Sequence, residues 1–308
     1  MTALLLLPLL LPFALPALAR RALDRLAPVA ALWAVTVCAI VLAGCSLAAL
    51  GSFVLIGLLK VPLFAAVGEL IHPLRTASDL VVLPAAATSV GALAVCGWTL
   101  ARSVLWQTRA FRAARAEAGC RPAAGDLCVV DSPRPDAYAL PGRPHRIVVT
   151  TAMLRSLDGS EREVLFAHER AHNDGRHHYF LAAAELVAHC HPALRPVRDT
   201  IRLAAERVAD EAAAASVGDR RLTARAIARA ALAGQGARAE RPGFVPAATA
   251  GPVPQRVQAL LAAPLVPRAG CAVAALLIAC TAVSCAASVA GLADFHHRVE
   301  IAQGDEAP

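Results

Sequence analysis

Long apolar runs divide this sequence into segments that suit a lipid bilayer and segments that suit water. The runs cover residues 3–18, 29–59, 80–101 and 271–293. A helix needs about 20 apolar residues to cross a hydrocarbon core of ~30 Å, and the last three runs reach that length. The first run is shorter and contains Pro8, Pro12 and Pro16. The pattern predicts about four transmembrane helices, three within residues 1–106 and the fourth within residues 269–308.

The segment between the third and fourth apolar runs, residues 107–268, has the mixed pattern of a water-soluble domain. Residues 127–130 and 146–150 are short β-branched runs with turn residues between them, which is typical of a small sheet. Alanine-rich stretches with helical spacing follow. The predicted fold class is therefore a mainly α membrane protein with an α+β domain between spans three and four.

Composition and charge support this membrane assignment and predict an orientation. Hydrophobic residues make up 57% of the chain and the mean hydropathy is +0.55, which exceeds the values of an ordinary soluble domain. Of the 30 Lys and Arg residues, all but Lys60, Arg75 and Arg298 lie directly after the first run or within residues 102–270. Because basic residues concentrate on the cytoplasmic side, we expect a multi-pass plasma-membrane protein with residues 107–268 in the cytoplasm. The N-terminus and the C-terminal tail are then outside.

The basic excess bears on partners as well as on orientation. It is expected to reflect attraction to anionic lipid, so the lipid bilayer is a predicted partner. No aromatic or groove-reading motif accompanies the basic residues, and direct nucleic-acid binding is therefore not expected.

The clearest chemical motif lies in a predicted helix over residues 160–175. Ser160 and Glu163 are spaced as a capping box at its start, and Gly175 is a stop signal at its end. Within this helix, His168-Glu169-Arg170-Ala171-His172 is an H-E-x-x-H motif. The spacing places both imidazoles on the face that points to the protein interior.

Two imidazoles one turn apart indicate a metal site. Neutral His168 and His172 can each bind zinc at about 2.0–2.1 Å, and Glu169 is placed to take a proton from a water molecule at the zinc. This chemistry predicts a metallopeptidase with one Zn2+ per chain. The alternative is that two histidines and a glutamate fell into register by chance on a core helix.

Two residues compete for the place of the third zinc ligand. His178 completes the H-E-x-x-H-x-x-G-x-x-H pattern of metzincins, but those enzymes need a downstream methionine, and the chain has only Met1 and Met153. Glu206 is the favoured ligand, because two histidines and one glutamate leave a position open for water. Asp210, one turn later, is then predicted to hold the outer nitrogen of a ligand histidine.

The acidic pair also has a simpler interpretation. Glu206 and Asp210 lie in an Arg/Ala-rich helix, where they would be solvated surface charges paired with Arg202 or Arg207. Beside H-E-x-x-H, we favour the ligand interpretation.

A short strand-like segment, Ala137-Tyr138-Ala139, precedes a Pro-Gly turn. In a protease such an edge strand can bind an extended substrate as an additional strand. Ala137, Tyr138, Ala139 and His178 are therefore candidates for substrate contact. A purely structural strand explains the same pattern equally well.

Taken together, these features resemble the BlaR/MecR antirepressor family of integral-membrane zinc metallopeptidases. The resemblance is carried by three spans, Ala137-Tyr138-Ala139, His168-Glu169-x-x-His172, Glu206-x-x-x-Asp210 and a last span. It implies a gluzincin-like cytoplasmic domain that binds zinc through H-E-x-x-H and E-x-x-x-D. It also implies that a signal received outside leads to cleavage of a cytoplasmic protein, typically a transcriptional repressor.

The resemblance has limits that shape the functional expectation. Family members that sense β-lactams carry a penicillin-binding domain after the last span, whereas only residues 294–308 follow here, so antibiotic sensing is not expected. The HtpX and CAAX-prenyl endopeptidases share both motifs but place their spans differently. We expect an endopeptidase whose partner is a protein or peptide substrate. Association of the chain with copies of itself, as a homo-oligomer, is a further expectation. The alternatives are a quality-control or processing protease and a non-catalytic membrane signal transducer.

Overall fold

The computed structural model describes residues 2–67, 79–119, 123–234, 252–262 and 270–304, and this part of the chain is mostly helical. The helices are α1 (Thr2–Leu10), α2 (Leu15–Arg25), α3 (Pro28–Leu58), α4 (Pro62–Val67), α5 (Asp79–Gly119), α6 (Thr151–Ser156), α7 (Gly159–Asp174), α8 (His177–Cys190), α9 (Arg195–Val217), α10 (Arg220–Gly234), α11 (Val253–Leu261) and α12 (Cys271–Gln303). The strands are β1 (Ala123–Ala124), β2 (Leu127–Val130), β3 (Ala137–Leu140) and β4 (Arg146–Thr150).

Four helical segments of the described residues are long and apolar enough to cross a membrane. They are Leu4–Arg25, Pro28–Leu58, Leu80–Ala116 and Cys271–Gln303. Each overlaps one of the predicted apolar runs, so the number of candidate spans agrees with the sequence. The first is longer than predicted, because a 3-10 turn over Leu11–Ala14 joins α1 to α2 and carries the helical path on to Arg25.

Helix α5 extends well beyond the third apolar run. It continues to Gly119, so the predicted domain boundary at residue 106 falls inside a helix. Residues 102–118 contain no proline or glycine to end the helix, which explains the continuation. Its last turn is attached to the sheet, since Nη1 of Arg146 donates to the carbonyl oxygen of Ala118 at 2.7 Å.

The small sheet predicted from the β-branched runs is present and has four strands in the order β1-β2-β4-β3. Strands β2 and β4 are parallel, while β3 pairs antiparallel with β4, Tyr138 lying opposite Val148. Strand β3 is therefore at an edge of the sheet. Ala137 packs in one apolar cluster with Leu165 of α7, so this edge borders the helix that carries H-E-x-x-H.

Two helices after the motif, α8 and α9, share one apolar core with candidate spans. Buried residues of α2, α3, α8, α9 and α12 belong to a single cluster. At its margin the ring of Trp33 in α3 meets Phe180 of α8 edge-on at 4.8 Å, and Nε2 of His191 lies 3.1 Å from the carbonyl oxygen of Leu9. Helices α8 and α9 are therefore packed directly against the candidate spans.

Residues 235–251, between α10 and α11, lie outside the described residues. Helix α11 contributes a buried arginine to the site described below.

A test of the span packing uses two glycines of α3. A Cβ at Gly57 would collide with the Cβ of Ala86 in α5, whereas nothing lies within 4 Å of a Cβ at Gly51. Because close helix approach in membranes depends on small residues, Gly57→Ala is expected to lower the free energy of unfolding by about 1–3 kcal/mol. Gly51→Ala is the matched control and should leave stability unchanged or slightly raised. Thermal unfolding in detergent measures both, and equal shifts would contradict this packing.

Candidate metal centre

Helix α7 begins two residues earlier than the sequence pattern predicts. Asp158 is the N-cap: its Oδ1 accepts from the backbone N–H of Glu161 at 2.9 Å, and the Glu161 carboxylate accepts from the Asp158 N–H at 3.0 Å. The predicted capping box of Ser160 and Glu163 is therefore wrong. Ser160 instead donates its hydroxyl to the capping carboxylate of Asp158 at 2.7 Å, so a stronger acceptor nearby takes the cap. The predicted stop at Gly175 agrees with the structure.

Helix α7 presents its motif to the interior. Val164, Leu165, His168, Glu169 and His172 are all buried, as the helical spacing predicts. Burial removes these imidazoles and the carboxylate from water, so each needs a polar partner or a metal inside the protein.

Helix α9 brings the acidic pair to the same place. Glu206 and Asp210 are buried, with at most 3% of their surface exposed. The interpretation as surface charges is wrong, because Arg202 pairs with Glu185 and Arg207 donates to the carbonyl oxygen of Leu23 at 2.6 Å.

The side chains of His168, His172 and Glu206 converge on one point. Nε2 of His168 lies 3.1 Å from Nε2 of His172, and the Glu206 carboxylate oxygens lie 3.4 Å from the first and 3.6 Å from the second. In a tetrahedral zinc site, ligands at about 2.0–2.1 Å from the ion are separated by roughly 3.4 Å. Among the described residues, these three form the set of His, Cys, Asp or Glu side chains whose ligand atoms lie close enough together to hold one metal ion. The donor set fits zinc.

The outer nitrogens of the two imidazoles have different neighbours. Nδ1 of His168 lies 3.0 Å from Oδ1 of Asp210. Nδ1 of His172 lies 2.8 Å from Nδ1 of His177, the first residue of α8. The structure thus places Asp210 where the sequence predicts it, while the contact of His177 was not predicted.

Arg256 of α11 is the second residue that sequence reasoning missed. Its Nη1 lies 2.9 Å from Oε2 of Glu206, and its Nε and Nη2 donate to the Asp210 carboxylate at 2.8 and 2.6 Å. Arg256 is fully buried. The sequence does contain a feature that points to Arg256. It is the only charged residue in α11 and lies one turn from Leu260 on the buried face of that helix. A lone charge on an apolar stripe needs a buried partner.

These contacts set the protonation of the site. Burial alone would lower the pKa of His168, but hydrogen bonds to Asp210 and Glu206 outweigh it and raise the pKa to about 9. Burial and the neighbouring imidazoles of His168 and His177 hold the pKa of His172 well below its ordinary value. Burial would raise the pKa of Asp210, yet the Arg256 guanidinium keeps it below the ordinary range. Burial lowers the pKa of His177 to about 4.

The remaining candidates lie near the centre but outside the converging group. Ala137, Tyr138 and Ala139 are on the edge strand β3 beside α7. The ring of His178 lies 4.1 Å from that of Tyr179 and is not in the metal-ligand group. The structure therefore gives the metzincin pattern no third ligand at His178.

The role of Arg256 can be tested through stability. Arg256→Met leaves two buried carboxylates without their cation, and the free energy of unfolding of metal-free protein should fall by about 3–5 kcal/mol. Arg221→Met, which removes an exposed arginine at the start of α10, is the matched control and should change little. Chemical denaturation in detergent with a chelator present compares the two. Equal losses would show that the buried ion pairs do not stabilise this fold.

Comparison with known proteins adds a family likeness over part of the chain. The profile of Peptidase family M48 matches residues 106–195. A search of curated proteins and a search of solved structures each give no match. The matched region covers less than half of the chain, includes His168, Glu169 and His172, and ends before Glu206. Over residues 106–195 the chain is therefore similar to Peptidase family M48, a likeness that supports a zinc metallopeptidase.

Proposed function

We propose that this protein is a membrane-embedded zinc endopeptidase. The observation that carries the proposal is the convergence of His168 Nε2, His172 Nε2 and the Glu206 carboxylate at tetrahedral ligand spacing. The likeness to Peptidase family M48 over the region that contains the motif supports it independently. Four helices able to cross a membrane support the membrane setting.

The reaction is metal-assisted hydrolysis of a peptide bond. A zinc ion held by these three side chains would act as a Lewis acid toward the scissile carbonyl and lower the pKa of water at the site. Glu169, buried and adjacent to His168, accepts a proton from the attacking water and passes it to the leaving amine. Asp210 lies 3.0 Å from Nδ1 of His168 and would hold that ring with Nε2 facing His172 and Glu206, where the ion would bind.

Arg256 contributes by balancing charge rather than by reacting. Its guanidinium lies between Glu206 and Asp210 and supplies the positive charge that two buried carboxylates need. Arg256 therefore helps to hold Glu206 where its carboxylate would bind the ion.

The substrate is proposed to be an extended segment of a protein. Strand β3 lies at the edge of the sheet and borders α7, which suits the addition of a substrate strand along Ala137, Tyr138 and Ala139. His178, near the start of α8, is a further candidate for substrate contact.

The proposed location of cleavage is the cytoplasmic face of the plasma membrane. The distribution of Lys and Arg supports this orientation, with the N-terminus and the tail after α12 outside. The core shared by α8, α9 and the candidate spans supports a site close to the bilayer. In this setting the proposed substrate is a cytoplasmic protein, with a transcriptional repressor as the first candidate because of the BlaR/MecR resemblance.

Zinc content and cleavage together test the proposed function. Wild-type protein purified in detergent should contain about one zinc per chain and cleave fluorescently labelled casein. Glu169→Gln should keep the zinc and lose at least about a hundredfold in cleavage rate, because only the proton acceptor is removed. Glu206→Ala should lose both, whereas Glu163→Ala, which removes an exposed carboxylate five residues before His168 on α7, is the control for zinc content. A zinc-free wild type, or full cleavage by Glu169→Gln, would contradict the proposal and favour a signal transducer.

The pH dependence of zinc binding follows from the raised pKa of His168. With a pKa of about 9 in the metal-free protein, His168 carries a proton at pH 7 that zinc must displace. Zinc affinity should therefore rise up to about tenfold per pH unit between about pH 7 and 9 and level off above. Titration calorimetry in buffers of different ionisation enthalpy should show about one proton released at about pH 7.5. A flat affinity over this range would contradict the assigned protonation of His168.

A further inference from the structure

The Nδ1 atoms of the two motif histidines contact different kinds of group. Asp210, a carboxylate, faces Nδ1 of His168 at 3.0 Å, whereas His177, an imidazole, faces Nδ1 of His172 at 2.8 Å. His177 is 1% exposed, and its ring meets that of His172 edge-on with centroids 4.8 Å apart. The H-E-x-x-H motif assigns no role to His177.

The chain reaches this contact through an unusual turn. Arg176, between α7 and α8, has φ = 49°, the only positive φ at a non-glycine residue in the described part of the chain. This left-handed conformation costs a residue with a Cβ on the order of 1 kcal/mol and is retained where the surroundings require it. It ends α7 sharply and starts α8 with His177 directed back at His172.

Gly175 makes room for the same ring. A Cβ at Gly175 would lie 2.5 Å from Nε2 of His177 and 3.0 Å from the carbonyl oxygen of Ala171. The absence of a side chain at Gly175 therefore lets the His177 imidazole lie against the end of α7. Two backbone features and one buried ring converge on a single contact.

The hydrogen-bond chemistry of that contact is determined by the ion. When Nε2 of neutral His172 binds a metal, its proton is on Nδ1, and that N–H must donate to an acceptor or remain buried and unsatisfied. The atom within reach is Nδ1 of His177. It can accept only when the His177 proton is on its own Nε2, the nitrogen that faces Gly175.

We propose that His177 is a positioning residue that accepts the Nδ1–H of His172 and orients this imidazole toward the zinc. The proposal rests on the zinc site proposed above. Through this bond the Gly175-Arg176-His177 turn determines the geometry of the second histidine ligand, as Asp210 does for the first.

Zinc affinity of the full-length protein in detergent, measured by competition with a chromophoric chelator, tests this role. His177→Leu removes the acceptor and should weaken zinc binding by about 10- to 100-fold. His177→Asn places an amide oxygen near the lost Nδ1 and should restore affinity to within about threefold of wild type. His178→Leu makes the same change one residue along, at a ring outside the metal-ligand group, and should bind zinc as wild type does.

Two further measurements separate positioning from folding. The unfolding temperature of metal-free His177→Leu should stay close to that of wild type, and its Co2+ complex should show an altered visible spectrum because one ligand is no longer held in place. Gly175→Ala keeps every polar group but displaces the His177 ring, so it should also weaken zinc binding. If His177→Leu is unstable, Gly175→Ala and His177→Asn carry the test.

The outcomes distinguish this inference from the proposed function. If wild type binds zinc and His177→Leu binds it equally well, or His177→Asn loses as much as His177→Leu, the positioning role is overturned. Equal weakening by His178→Leu would likewise overturn it by showing a general disturbance of α8. If wild type binds no zinc, the proposed metallopeptidase itself fails.

Discussion

The site depends on the neutralisation of buried charge in the middle of α9. Glu206 and Asp210 lie one turn apart in the interior, where two carboxylates repel each other strongly and cannot be solvated. The guanidinium of Arg256 binds both, and a divalent ion beside Glu206 would add to the same balance. A second arginine also attaches α11 to α9. Arg220 pairs with Glu211 of α9 and donates to the carbonyl oxygens of Ala259 and Leu260 at the end of α11. Charge pairs and the apolar cluster of Leu260 with Ala214 and Ile227 thus both join α11 to the rest of the centre.

The apolar packing has a different consequence, because it joins the centre to the candidate spans. Helix α7 supplies the two imidazoles and the strand β3 borders it, while α8 and α9 pack into the same core as α2, α3 and α12. A buried core of this kind transmits displacement between its parts, since side chains at close-packed density have few free volumes to absorb it. In the described part of the chain, α8 and α9 therefore connect the candidate metal centre directly to the candidate spans.

The sequence predicted those parts of the structure that depend on local periodicity. His168 and His172 face inward because they are four residues apart on one helix, and Glu206 with Asp210 follows the same rule on α9. The N-cap was misplaced because Asp158 and Ser160 both suit the position, and only the folded chain shows which one the backbone N–H reaches. Arg256 and His177 escaped prediction for another reason. Arg256 is about fifty residues from Glu206 in the sequence and reaches it only through tertiary packing. The contact of His177 depends on the left-handed conformation of Arg176, which cannot be predicted from a sequence that has no glycine at that position.

Helix α5 gives the molecule a mechanical property that none of its single contacts has. Its 41 residues span about 60 Å, from Asp79 at one end of the candidate span to Gly119 beside the sheet. There Arg146 of β4 donates a hydrogen bond to the last turn of the helix. The part after Arg102 is roughly 26 Å long, so a tilt of about 5° there displaces the sheet end by roughly 2 Å. Because β4 carries both Arg146 and the hydrogen bonds to β3, that motion arrives at the strand beside α7. Because α5 is one continuous helix over this length, a small change of its angle becomes a larger displacement at the sheet edge that borders α7, the helix that carries His168 and His172.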